Sequence, residues 1–157
     1  EAPLAQVPAK ADDVRISGIR ALIPPQLLLE EMPIDPASLD TATHARQSIH
    51  RVLHGADDRL LAVVGPCSIH DYDAALEYAR LLREAAQRHA HDLFIVMRVY
   101  FEKPRSTTGW KGLINDPHMN DSLDIEEGRR KARKLRLDVN KMRLPAATEA
   151  PGSDTTR

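Results

Sequence analysis

The chain has 157 residues, of which 42% are hydrophobic and 29% charged, and its net charge is −1. This composition excludes a disordered or fibrous chain, and no apolar run in the sequence is long enough to span a membrane. The first residues show neither the basic nor the apolar region of a signal peptide, so we expect a cytoplasmic protein.

The first predicted elements are helices that precede any strand. Residues 1–11 are rich in Ala and Pro and are predicted to be flexible, whereas residues 12–58 are predicted to form a helical extension. Within it, a helix is predicted over residues 41–53, with Asp40 as its N-cap and Gly55 just past its end. Apolar residues at helical spacing give this helix one face that we expect to pack against a larger body.

Two short apolar runs predict strands. The sequences LLAVVG (residues 60–65) and LFIVMRVY (residues 93–100) are typical of parallel strands that are buried on both faces. Between them, residues 73–89 carry Ala and Leu at helical spacing and predict a helix.

A long loop is predicted after the second strand. It covers residues 101–124, which exceeds the usual length of a connection and indicates a functional loop. A helix is predicted over residues 125–140, where Asp124 and Glu127 form the pattern of a capping box, and a third strand over residues 144–149. The order strand, helix, strand, helix, strand predicts an α/β fold with a parallel sheet and right-handed crossovers.

Ligands of parallel α/β folds bind at the carboxyl ends of the strands, where the connecting loops gather, so the residues after each predicted strand are candidates. We therefore expect Cys67 and Arg98 to come together at this edge of the sheet. Cys67 follows the first strand by two residues, and its thiolate could bind a borderline-soft divalent metal such as Mn, Fe, Co or Zn. His70 is a candidate second ligand. The alternatives are a small buried thiol for Cys67 and, for His70, a hydrogen bond to the start of the next helix.

Arg98 places a charge inside an otherwise apolar strand, where an unpaired guanidinium is costly, so it must meet an anion. That anion is either a carboxylate of the protein or a substrate carboxylate or phosphate, which a planar guanidinium binds through paired hydrogen bonds. Beyond Arg98, the residues Lys103 and Arg105 flank Pro104, and hydroxyl side chains begin at Ser106. This combination suits a phosphate ester, although solvated surface loops often have the same composition.

Basic residues concentrate in the second half of the chain. Residues 98–143 hold 12 Lys and Arg against 7 Asp and Glu, a balance that suits anionic ligands. The densest run, RRKARKLR at residues 129–136, lies on the polar face of a predicted helix that also has a complete apolar stripe. We therefore interpret this run as solvated surface and expect neither a nucleic acid nor a membrane as partner.

Four motifs, GPCSIHD, MRVYFEKPR, TGWKGLINDPHM and LPAATEA, closely resemble those of the feedback-regulated, bacterial type I 3-deoxy-D-arabino-heptulosonate-7-phosphate (DAHP) synthases. The resemblance covers roughly residues 12–150. It implies a (β/α)8 TIM barrel behind an N-terminal helical extension, in which residues 59–150 would form about two and a half of the eight βα units.

The resemblance also implies a reaction, the first step of the shikimate pathway, in which phosphoenolpyruvate condenses with erythrose 4-phosphate and phosphate is released. By motif match, Cys67 would bind the divalent metal and Arg98 would hold phosphoenolpyruvate. The erythrose 4-phosphate pocket would contain Lys103, Pro104, Arg105 and Ser106, with Lys111 as a neighbour. The metal would stabilise negative charge on the aldehyde oxygen, and the cations would neutralise and align the substrates.

Regulation is implied by the same resemblance. Asp12 and Asp13 match an acidic pair that family members place at the inhibitor site of a neighbouring subunit. We therefore expect a homo-oligomer that an aromatic amino acid inhibits.

Two stretches depart from the family pattern. Residues 151–157 (PGSDTTR) do not match it, and Arg143 stands where the pattern has Gly, at a left-handed position that costs a side chain roughly 1 kcal/mol. Because the family's other metal ligands and later phosphate-binding residues come from strands beyond the match, we expect the chain alone to lack synthase activity. The alternative function is a non-catalytic remnant that binds a full-length synthase subunit or a phosphate ester.

Overall fold

A computed structural model describes residues 21–102 and 109–148. The predicted flexible N-terminus and the predicted tail after residue 150 lie outside these ranges. The described residues form four helices and three strands, which are α1 (Pro25–Glu31), α2 (Pro36–Leu53), β1 (Leu60–Val64), α3 (Tyr72–Arg88), β2 (Leu93–Arg98), α4 (Ile125–Lys141) and β3 (Ala146–Ala147). No helix in the described part of the chain is long and apolar enough to cross a membrane.

The helix predicted over residues 41–53 begins earlier than expected, so the prediction of Asp40 as its N-cap is wrong. Asp35 caps α2 instead, and its carboxylate accepts hydrogen bonds of 3.1 Å from the backbone N–H groups of Ala37 and Ser38. Pro36 occupies the first helical position, where its fixed φ suits a helix and its missing N–H costs nothing. Gly55 follows the helix with φ +70°, as predicted.

The three strands form one parallel sheet, as predicted, and their order in the sheet is β1-β2-β3. The prediction that both apolar runs are buried on both faces is confirmed for β2 and wrong for β1. Leu60 and Val63 of β1 are 67% and 53% exposed, whereas Met97 of β2 is fully buried. Within the described chain β1 has a neighbouring strand on one side only, while β2 lies between two strands.

One face of the sheet, here called the outer face, is covered by α3 and α4. Met97 and Val99 point to it and pack with Ala79 of α3 and with Leu135 and Val139 of α4, all of them fully buried. The apolar stripe predicted for the last helix is thus confirmed. The packing is close: a Cβ on Gly128 of α4 would lie 2.1 Å from the backbone oxygen of Ile114.

The opposite face, here called the inner face, is covered at its lower end by α2. Ala45 and Ile49 of α2 pack on Phe94 and Val96 of β2. Two buried hydroxyls fasten α2 to the end of α4, since Ser38 Oγ donates to the carbonyl of Leu137 at 3.1 Å and Thr41 Oγ1 donates to that of Asn140 at 2.9 Å. Because side chains alternate along a strand, Arg98 lies on the same face as Phe94 and Val96.

The last helix and strand differ from prediction only at their ends. Asp124 caps α4 by accepting from the N–H of Glu127 at 3.2 Å, as the capping-box pattern predicted. Arg143 follows the helix with φ +61°, so the left-handed position predicted from the departure at this residue is confirmed. The third strand is shorter than residues 144–149, and Glu149 lies outside the described residues.

Candidate functional site

The segments that leave β1 and β2 meet at the carboxyl edge of the sheet. The backbone N–H of Ile69, in the segment after β1, donates to the carbonyl oxygen of Tyr100, beyond β2, at 2.8 Å. At the end of β1, a Cβ on Gly65 would lie 2.4 Å from the backbone oxygen of Arg98 and 2.9 Å from its Cβ. Glycine at position 65 therefore lets the two segments approach, and Arg98 is held directly beside the Cys67 segment.

Arg98 is the last residue of β2 and is partly exposed. Its Nη2 donates to the backbone carbonyl of Cys67 at 3.2 Å, and its guanidinium lies 5.1 Å from the centre of the Tyr100 ring. These contacts, with a backbone oxygen and an aromatic face, orient the planar guanidinium at the carboxyl edge of the sheet. The prediction that Cys67 and Arg98 come together is confirmed.

The thiol of Cys67 is exposed, so the alternative of a small buried thiol is wrong. A thiolate in this position is a donor for a borderline-soft divalent metal, but one donor does not make a metal site. Among the described residues, Cys67 does not belong to any group of three possible metal ligands. The chemistry of the donor therefore fits the predicted metal, and further ligands would have to come from outside the described residues.

His70 is exposed and packs edge-on against Trp110, with ring centroids 6.4 Å apart and an interplanar angle of 89°. The helix after it is capped by Asp71, which accepts from the N–H of Ala74 at 2.8 Å. The predicted role of His70 at the start of that helix is thus taken by its neighbour. His70 instead joins the segment after β1 to the long loop after β2.

The long loop is only partly described. Lys103, Pro104, Arg105 and Ser106 lie outside the described residues, so their predicted roles stay predictions. An isolated antiparallel bridge between Glu102 and Gly112 turns the chain back after β2. The exposed Lys111 therefore lies beside the segment that leaves β2 at the candidate site.

Asp116 organises the described part of this loop, a role that was not predicted from the sequence. The residue is 3% exposed. Its carboxylate accepts from the N–H groups of Asn120 and Asp121 at 3.3 and 3.2 Å, and its backbone oxygen accepts from Trp110 Nε1 at 2.7 Å. The available signal was the sequence Asn-Asp-Pro inside a long loop, because Asp commonly bonds to backbone N–H groups near a turn.

A second cluster has ligand-type side chains but is occupied by contacts of its own. The side chains of His118, Asp124 and Glu127 lie close enough to one another to hold a metal ion. Asp124 caps α4, and Glu127 pairs with Lys131 at 2.8 Å and with His118 at 2.9 Å. The Lys131 hydrogen bond and then that of His118 hold the pKa of Glu127 below its usual range. These contacts give the cluster a structural role, because the pair between His118 and Glu127 connects the loop to α4.

Residues 31–156 match the model of the DAHP synthetase I family. This chain belongs to the DAHP synthetase I family. The match covers most of the chain and continues beyond Ala150, where the resemblance of the sequence motifs ends.

Two curated proteins are similar in sequence to this DAHP synthetase I family member. The Phe-sensitive phospho-2-dehydro-3-deoxyheptonate aldolase of Escherichia coli K12 is 57% identical over 138 residues, which cover 88% of this chain and 39% of that protein. The phospho-2-dehydro-3-deoxyheptonate aldolase of Amycolatopsis methanolica is 50% identical over 145 residues, covering 92% of this chain and 71% of that protein.

A solved structure shares the fold. The phospho-2-dehydro-3-deoxyheptonate aldolase from Francisella tularensis SCHU S4 superimposes with a TM-score of 0.83 at 48% identity, over 86% of this chain and 40% of that one. The family member described here thus spans 39% of the length of the E. coli relative and 40% of the Francisella chain.

Proposed function

We propose that this chain supplies the first part of the active site of a DAHP synthase, which condenses phosphoenolpyruvate with erythrose 4-phosphate and releases phosphate. In this proposal the parallel sheet is the beginning of a (β/α)8 barrel. The observation that carries the proposal is the contact between the Arg98 guanidinium and the Cys67 carbonyl at the carboxyl edge of the sheet.

Phosphoenolpyruvate carries a carboxylate and a phosphate, both of which suit a guanidinium. Arg98 presents a charged, planar set of donors whose direction is set by the Cys67 carbonyl and the Tyr100 ring. Such donors bind carboxylate or phosphate oxygens in pairs, so the bound substrate is oriented as well as neutralised. Arg98 thereby holds phosphoenolpyruvate at the strand end.

The exposed Cys67 would provide one thiolate ligand to a divalent ion such as Mn, Fe, Co or Zn. When bound, the ion would act as a Lewis acid toward the aldehyde oxygen of erythrose 4-phosphate. Because Arg98 bonds to the backbone carbonyl of the same residue, the guanidinium is held beside the segment that carries the thiol.

Lys103, Pro104, Arg105 and Ser106 would form the erythrose 4-phosphate pocket, with Lys111 beside it. The E. coli relative is named as Phe-sensitive. We extend such regulation to this chain as inhibition by an aromatic amino acid within a homo-oligomer, with Asp12 and Asp13 at the inhibitor site.

The proposal is tested by a chimaera in which the matching segment of the Phe-sensitive E. coli relative is replaced by the residues of this chain. We expect DAHP formation in the presence of Mn²⁺. Arg98→Ala should lower kcat/KM for phosphoenolpyruvate about 100-fold, the effect of losing a charge-assisted bond worth about 3 kcal/mol. Cys67→Ser should raise the Mn²⁺ concentration for half-maximal activity at least about tenfold.

Arg80→Ala is the matched control. Arg80 is exposed on α3, so this substitution removes the same charge at a position outside the candidate site. It should leave both kinetic parameters unchanged. A folded chimaera without activity, or an Arg98→Ala chimaera with the kinetics of its parent, would contradict the proposal.

A further inference from the structure

The basic run on α4 divides into two sets according to the partners of its residues. Arg130, Lys131 and Lys134 each form an ion pair with a carboxylate at 2.8–3.0 Å. Their charges are therefore neutralised, and only this part of the run agrees with its interpretation as solvated surface.

The second set lines a cavity of about 240 Å³ between α1, α2 and α4. Arg129, Arg133 and Arg136 line it from α4, and Arg46 lines it from α2. Arg129 and Arg133 donate to backbone carbonyls at the two ends of α1 at 2.8 and 2.7 Å. In the described part of the chain, neither Arg46 nor Arg136 forms a hydrogen bond or an ion pair, and none of the described lining residues is acidic.

The charges in this cavity act on one another. Arg136 is exposed to solvent overall, yet desolvation by neighbouring atoms, followed by the positive charges of Arg133 and Arg46, lowers the pKa of its guanidinium. Guanidinium groups remain protonated at neutral pH in any protein. The cavity therefore holds mutually repelling cations, and an anion bound among them would remove that repulsion.

We propose that this cavity is an anion site for a small phosphorylated molecule. A phosphate monoester carries nearly two negative charges at neutral pH and offers several oxygens, so it can accept from guanidinium groups on two helices at once. Leu28, Leu29 and Ile34 line the same cavity and give an apolar wall for the carbon part of such a ligand. Neither Cys67 nor Arg98 lines the cavity, so it contains neither the thiol nor the guanidinium of the candidate active site.

The test is isothermal titration calorimetry of pyrophosphate into the 157-residue chain at constant ionic strength. It uses an Arg98→Ala background, so that anions at the candidate active site do not contribute. We expect saturable binding that Arg46→Gln and Arg136→Gln each weaken about tenfold or more, as the loss of a charge-assisted bond predicts. Arg80→Gln removes the same charge from α3 and should change nothing.

Three outcomes would overturn the site. The first is the absence of saturable binding, and the second is an equal loss of affinity in Arg80→Gln. The third is binding of citrate as tight as that of pyrophosphate, which would show that the cavity recognises negative charge and does not select phosphate. Circular dichroism establishes that each variant is folded. If Arg136→Gln does not fold, Arg136→Lys is measured instead. Lysine keeps the charge but loses the planar donor pair, so the proposal requires the pyrophosphate affinity of Arg136→Lys to lie between that of the parent and that of Arg46→Gln.

Discussion

β1 and β2 have nearly the same kind of sequence and very different surroundings. Both are short apolar runs that follow polar residues, and both predict buried parallel strands. In the folded chain β2 has strands on both sides, α3 and α4 on its outer face and α2 on the lower part of its inner face. β1 has one neighbouring strand in the described chain and leaves Leu60, Val63 and Val64 between 38% and 67% exposed.

The difference shows that an apolar run specifies a strand, whereas the burial of the strand's side chains depends on how many elements surround it. The two strands nevertheless meet closely at their carboxyl ends, where Gly65 touches the backbone of Arg98. The edge of the sheet that carries the candidate site is therefore built from one well-buried strand and one exposed strand. Four substitutions separate what each of them contributes.

The largest effect should come from the centre of β2. Met97→Ala removes a fully buried side chain from the packing between the outer face and its helices, and should lower the free energy of unfolding by about 3 kcal/mol. Urea denaturation followed by circular dichroism measures this. A loss below about 1 kcal/mol would mean that the outer face is less tightly packed than the full burial of Met97 indicates.

A smaller but more local effect is expected where the strands meet. Gly65→Ala would place a methyl group 2.4 Å from the Arg98 backbone oxygen, and should cost about 2 kcal/mol through the forced displacement of one segment. The same substitution in the chimaera should raise KM for phosphoenolpyruvate, because Arg98 moves. Unchanged stability and unchanged KM together would contradict the close approach.

In β1 the corresponding truncation should have little effect. Val63→Ala removes methyl groups from a side chain that is already 53% exposed, so the free energy of unfolding should fall by only about 0.5 kcal/mol. Denaturation under the conditions used for Met97→Ala gives the comparison directly. Equal losses in the two variants would remove the distinction between the strands.

The smallest effect concerns acid stability at the entry to β1. The hydrogen bond from Arg59 lowers the pKa of Asp57 to about 2. Since this folded-state pKa lies below the unfolded value, the stabilisation is complete above about pH 4 and is lost as the pH falls toward 2. Asp57→Asn should flatten the pH dependence of the unfolding free energy in that window, and Asp58→Asn, its neighbour, serves as the control. A profile as steep as that of the parent would exclude this contribution.

Much of the secondary structure and one part of the site followed from local patterns. The stripe on α4, the cap at Asp124 and the parallel direction of the strands depend on residues close in sequence or on general rules of chain connection. The left-handed position of Arg143 was expected from the family resemblance, because the family pattern has Gly there. The meeting of Cys67 and Arg98 followed as well, because the carboxyl ends of parallel strands share one edge. The start of α2 was predicted wrongly because Asp35 and Asp40 are both possible N-caps and lie within five residues of each other. Asp35 is the N-cap, and it is the one that precedes Pro36.

By itself, the sequence determined that this chain is a parallel α/β protein of the DAHP synthetase I family, and it placed a thiol and a guanidinium at one edge of the sheet. Only the tertiary structure decided that β1 is exposed, that Asp116 holds the long loop, and that four arginines from two helices share a cavity. The physical reason is that periodicity and capping act over a few residues, whereas burial and the pairing of charges depend on which distant segments pack together.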